Sequence, residues 1–126
     1  MAGASDFIAE RAYEGAQVLL TWVRPDNATY TELRILRTKA MWPPNVDASA
    51  VLVSDTSPFT LTKYSDRAAP AKEVAYYKLF QRRTSDGAWE TSDLLQAKVL
   101  VLETGYMAEK LWALLPQLYH VADGEQ

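Results

Sequence analysis

The side chains that could do acid–base, nucleophilic or metal chemistry are few here, and they are far apart in the sequence. There is no cysteine, and His120 is the only histidine among 126 residues. Disulfides, thiolate metal sites and cysteine nucleophiles are therefore excluded, and any serine–histidine relay would have a single imidazole to draw on. His120 is expected at a surface or an interface rather than as a lone base. The carboxylates Glu10, Glu14, Asp26, Asp55, Asp66, Asp86, Asp93 and Glu103 are spread through turns and flanking segments. Catalysis by two carboxylates needs a pair gathered in one cleft with their pKa values driven apart. No spacing in this sequence gathers such a pair, so most of these acids are expected to form turns. No Asp-x-Asp-x-Asp run offers a calcium loop, no glycine-rich stretch a phosphate cradle, and no Gly-x-Ser-x-Gly elbow a nucleophile. The expectation is a chain that is not an enzyme and takes no metal or cofactor.

Aromatic residues offer recognition chemistry instead. Trp42 precedes Pro43-Pro44 in a segment that reads as a loop, and Trp89 follows Asp86-Gly87-Ala88. Each has two readings: an exposed ring that stacks on a sugar or anchors a partner, or a ring folded back onto neighbouring strands. The net charge of −3, with Arg82-Arg83 as the only adjacent basic pair, gives none of the basic footprint that nucleic-acid binding requires. Residues Met1 to Phe7 lack a basic stretch followed by an apolar one, so no secretory signal is expected. No apolar run approaches the ~18 residues of a membrane-spanning helix.

The elements that would carry these residues read as short strands. With 48% apolar and 23% charged residues, and four Trp, seven Tyr and three Phe, the chain can fill one small core. Val18, Leu20 and Trp22 alternate within 16–23, and Leu33 and Ile35 alternate with charged neighbours within 31–38. Val51-Leu52-Val53 is a short strand, Phe59 to Tyr64 alternates weakly, and Val74 to Arg83 is a long strand candidate. Asp86-Gly87 predicts a hairpin into a strand over 89–101, interrupted near Ser92-Asp93. Phe7 to Tyr13 supplies a candidate first strand. Strands follow one another with turn signals and without intervening helices, which argues against a parallel α/β fold.

After Gly105 the period changes. Met107, Leu111, Leu114, Leu115 and Leu118 share one helical stripe, which Pro116 ends or kinks. Such a stripe has to be buried, either on the chain's own strands or in a neighbouring subunit. Lys110 is the only basic residue of this stretch, which argues against a membrane-surface helix.

These residues together resemble a known family. Val18-x-Leu20-x-Trp22 is similar to the second strand of fibronectin type III modules, where the tryptophan plugs the core. Leu33-x-Ile35-x-Arg37 resembles the third strand, Tyr64-Ser65-Asp66 the motif before the sixth, and Tyr76-Tyr77-Lys78-Leu79 that strand's aromatic centre. Asp86-Gly87-Ala88-Trp89 resembles the hairpin entering the last strand. The likeness covers residues 6–102. It implies an all-β, immunoglobulin-like antiparallel β-sandwich, with Tyr77 and Leu79 turned inward. The usual glycine is missing from the approach over Ala68 to Lys72, and no Arg-Gly-Asp or paired tryptophan–serine box is present. On this reading residues 1–15 are an arm with the candidate first strand, 16–102 the sandwich, and 103–126 a short amphipathic docking helix and tail.

Leu111-Trp112-Ala113-Leu114-Leu115-Pro116-Gln117-Leu118-Tyr119 is similar to a Leu-Leu-Pro-x-x-Tyr segment of bacteriophage tail and baseplate proteins and related contractile injection systems. That likeness implies a structural module of a virion, made in the host cytoplasm, whose partners are other protein subunits. Met107, Leu111, Trp112, Leu114, Leu115, Leu118 and Tyr119 would form its interface. The alternative is an accessory module that binds glycan through Trp42 and Trp89.

Overall fold

The computed structural model describes residues 3–11 and 17–101. They form eight strands: β1 (Ser5–Arg11), β2 (Val18–Val23), β3 (Tyr30–Lys39), β4 (Val51–Thr56), β5 (Lys63–Asp66), β6 (Val74–Arg83), β7 (Trp89–Glu90) and β8 (Gln96–Leu100). A single 3₁₀ turn, Asp93–Leu95, lies between β7 and β8. All pairings are antiparallel. One sheet runs β1-β2-β5, and the other runs β4-β3-β6-β7, with β8 also on β6.

Alternation decides which side chains enter the space between the sheets, because successive residues of a strand point to opposite faces. Val18, Leu20 and Trp22 of β2 meet Leu33 and Ile35 of β3 and Ala75, Tyr77 and Leu79 of β6 in one core cluster. Burying each large apolar side chain there contributes about 1.5–3 kcal/mol. Phe7 of β1 belongs to the same cluster, so β1 is a full member of its sheet. The Trp22 ring is buried, and its indole N–H has no partner among the described residues.

The strand boundaries agree with the sequence pattern for β2, β3 and β6, and β6 spans the whole of the predicted Val74–Arg83. The weakly alternating stretch Phe59 to Tyr64 does not form a strand until Lys63. Side chains divert its backbone: Asn27 accepts from the Phe59 N–H (2.8 Å), and Asp55 accepts from those of Thr60 (3.2 Å) and Leu61 (3.1 Å). Amides satisfied by side-chain carboxylate and carboxamide oxygens have nothing left to give a ladder.

The hairpin forms where Asp86-Gly87 predicts it. Positive φ occurs there at Gly87 alone (+70°), and Arg83 N–H donates to the Ala88 carbonyl (2.9 Å), so the loop is longer than a two-residue turn. Without a glycine on the approach to β6, Lys72 itself takes a positive φ of 65°. The interruption near Ser92-Asp93 is the 3₁₀ turn, capped by the Ser92 side chain on the Leu94 N–H.

The docking helix predicted over 103–126, with Met107, Leu111, Trp112, Leu114, Leu115, Leu118 and Tyr119, lies outside the described residues, as does His120.

Candidate functional site

Three groupings of polar and aromatic side chains stand out, and the most buried of them was not legible in the sequence. Asp66 ends β5, where alternation turns it into the core, and it is fully buried. Arg37 of β3 donates from Nη1 to both of its oxygens (2.7 and 2.6 Å). The Tyr77 hydroxyl of β6 donates to Oδ2 (2.8 Å), and the Ala68 N–H donates to Oδ1 (3.2 Å). A buried carboxylate is tolerable only when its lone pairs are met and its charge is matched, and both conditions hold here. Burial pushes the Tyr77 hydroxyl far above the ordinary tyrosine range, and the bond to Asp66 adds to the shift. The grouping bridges the two sheets. In the sequence Asp66 looks like one more turn former; the available signal was that Arg37 and Tyr77 share the inward parity of Ile35 and Leu79.

The second grouping centres on Glu90, opposite Gln81 in the β6–β7 pair. Its Oε1 accepts from the Tyr30 hydroxyl and from Gln81 Nε2 (3.3 Å), and its Oε2 accepts from Arg83 Nη1 (3.1 Å). Gln81 is itself buried and accepts from the Ala4 N–H (2.8 Å), which fixes the start of β1 against the second sheet. Burial, followed by the bond to Glu90, pushes the Tyr30 hydroxyl up to about 12. A cleft of about 490 Å³ opens beside these groups, between the start of β1 and the 3₁₀ turn, with Phe7, Thr91 and Leu95 on its walls. Each Glu90 oxygen is engaged, so the carboxylate is a strut that ties Tyr30, Gln81 and Arg83 together.

The third grouping contains both tryptophans singled out in the sequence. Trp89 lies opposite Arg82, and the inward parity of Leu79 and Gln81 puts Arg82 on the outer face of the five-stranded sheet. The guanidinium carbons of Arg34 and Arg82 lie 4.9 and 5.8 Å from the centre of the Trp89 ring. Trp42 meets Tyr76, an outward residue of β6, edge to face at 5.0 Å. The two tryptophans therefore share one face of the molecule, at opposite ends of β6. Their β6 neighbours, residues 76 and 82, are roughly 20 Å apart at the strand rise. Both rings are half-buried and engaged with their own neighbours.

Of the other candidate acids, Asp26 and Asp86 have local duties, while Glu14 and Glu103 lie outside the described residues. Asp26 accepts from the Thr29 hydroxyl (2.7 Å) and from the Thr29 and Ala28 amides, and those bonds hold its carboxyl below the usual range. Asp86 accepts from Arg83 (2.8 Å) and from the Ala88 N–H, with the same consequence. No group of three or more His, Cys, Asp or Glu capable of holding a metal ion occurs among the described residues. No helix among them is long and apolar enough to cross a membrane. No protein-family model matches the chain, and no curated protein matches its sequence.

Proposed function

We propose that the chain is a non-catalytic structural module, fibronectin type III-like, that serves as a rigid body in a larger protein assembly of the phage tail, baseplate or injection-apparatus kind. The observation that carries this reading is the use made of its charged groups. Asp66 clamps the two sheets, Glu90 braces the hairpin against Tyr30 of β3, and Asp26, Asp55 and Asp86 close turns. A scaffold that commits these five carboxylates to its own fold is suited to transmitting position and contact.

The strand order supports the fibronectin-like reading. Second pairs with fifth, third with sixth, and sixth with the last strand segments, as in immunoglobulin-like sandwiches, while the fourth lies beside the third. Docking of the module is assigned to Met107, Leu111, Trp112, Leu114, Leu115, Leu118 and Tyr119, whose apolar stripe fits a groove on a neighbouring subunit. The glycan alternative draws less support, because a sugar stacked on Trp89 would compete with two guanidinium groups for its ring.

The test is to follow the full-length chain into particles. Quantitative mass spectrometry of purified tailed particles should find it at a fixed ratio to the other tail proteins. The double substitution Leu111→Asp, Leu115→Asp in the full chain should leave a folded protein that no longer enters them. Absence of the chain from such particles, or undiminished entry of the double variant, would overturn the respective part of the reading.

A further inference from the structure

The outer face of the five-stranded sheet has a composition that the chain as a whole does not share. Alternation and register give its membership. β3 contributes Glu32, Arg34, Leu36 and Thr38, facing Arg82, Phe80, Lys78 and Tyr76 of β6 in that order. β7 adds Trp89 beside Arg82, and β8 adds Gln96 and Lys98 beside Lys78 and Tyr76. Ser54 and Thr56 of β4 are the neutral neighbours of Arg34 and Glu32. Among the described residues, four bases thus share the face of this sheet with a single acid, Glu32, in a chain whose net charge is −3. Outside this face the described residues carry eight bases and ten acids, so the excess of bases is local to it.

Its bases are not used up by the fold. Arg34 gives Nε to Glu32 (2.8 Å), which leaves its two terminal nitrogens without a hydrogen-bond partner among the described residues. Arg82 gives Nε to the Gly87 carbonyl (2.9 Å) and stands 3.8 Å from Glu32. Trp89 underlies both guanidinium groups. Stacking and the shared carboxylate hold two planar forks in place, so little rotamer freedom remains to be lost when a further carboxylate arrives. Lys98 has the Tyr76 ring near its ammonium (5.9 Å), and among the described residues neither Lys98 nor Lys78 has a carboxylate partner. Leu36 and Phe80 point outward by parity, belong to no part of the core cluster, and are nearly inaccessible, so the long neighbouring side chains lie over them. At one end the face is apolar at its surface: Val74 and Leu100 are paired and exposed beside Tyr76 and Lys98.

We infer that this face docks an acidic protein surface, one whose carboxylates meet the Arg34–Arg82 forks at one end and Lys78 and Lys98 at the other. Charge complementarity selects the sign of the partner. Three features select a protein over a polyanion such as single-stranded nucleic acid. The rings that would stack bases are occupied, Trp89 by guanidinium and Tyr76 by Trp42. The basic patch is short, four bases over roughly 20 Å of β6, so it could neutralise few phosphates at once. Arginine, tryptophan and tyrosine around buried apolar groups are also the composition that protein interfaces concentrate in their energetic centres. The inference rests on reading the chain as a protein-contact module and adds a surface to it, separate from the stripe after Gly105.

The test uses the isotope-labelled full chain and three probes: a short synthetic peptide alternating glutamate with valine, the same peptide with lysine for glutamate, and an oligothymidylate. The glutamate peptide should shift the amides of Arg34, Lys78, Phe80, Arg82, Trp89 and Lys98 saturably, and weaken several-fold as salt rises through the ~10 Å screening regime. The lysine peptide should leave them unmoved. Lys78→Glu with Lys98→Glu, both outside the structural ties, should lower the affinity about tenfold or more, and Arg34→Lys should lower it while keeping the charge. A glutamate peptide that leaves this face unmoved overturns the inference. So does an oligothymidylate that shifts it at lower concentration, which would make the partner a nucleic acid. Either failure leaves entry of the chain into particles unaffected, so it is distinguishable from failure of the structural-module reading.

Discussion

At the scale of the residue, the polar side chains that matter are those whose protonation the fold controls. The Tyr30 hydroxyl sits half in the core with Glu90 as its acceptor, and burial followed by that bond raises it from 10.0 to about 12. Tyr77 is raised in the same direction, by burial and then by Asp66. A tyrosine raised in the folded state favours folding through its neutral form. Its contribution is fully present below about pH 10 and is lost as pH rises through the folded value. Stability should therefore hold through neutral pH and fall between about pH 10 and 12, as read by denaturant midpoints across that range. Tyr30→Phe should make the fall shallower; an unchanged slope would remove Tyr30 from the account. The sequence shows seven tyrosines but not which two are held this way, because parity along β3 and β6 matters only once the sheets face each other.

Elements were legible in proportion to how strongly a single period dominated them. β2 alternates cleanly, and β6 is long and bounded, so both were readable. The start of β5 was not, since its upstream amides are captured by Asn27, distant in sequence, and by Asp55 at the end of β4. The break between β7 and β8 is the informative case. Its 3₁₀ turn sends adjacent leucines in opposite directions: Leu95 is 3% exposed in the core, whereas Leu94 is 80% exposed beside the cleft. Leu95→Ala should cost about 2–5 kcal/mol, while Leu94→Ala should stay within about 0.5 kcal/mol of the parent. Thermal and chemical melting of the two variants checks this, and equal losses would show that the turn packs differently.

At the scale of the whole molecule, the two sheets are joined by a shared apolar core and by one buried charge. Asp66 on β5 meets Arg37 and Tyr77 on the opposite sheet, so removing it strands a partly buried guanidinium. Asp66→Ala should cost about 3–5 kcal/mol, whereas Tyr77→Phe, which leaves the charge pair in place, should cost nearer 1–2 kcal/mol. Equal, small effects in denaturant unfolding would mean that the clamp is ornamental and the core alone holds the layers. The sequence by itself determined the all-β character, the core parity of Trp22 and Ile35, and the hairpin at Gly87, because period and turn chemistry are local. Both faces of β6 are apolar, so the inward turn of Tyr77 and Leu79 came only from the family resemblance. Only the tertiary structure decided that Asp66 is a buried clamp, that Glu90 is a strut, and that Trp42 and Trp89 share one basic face. Each of those depends on which strands become neighbours, and strand neighbours are chosen by burial across the whole chain.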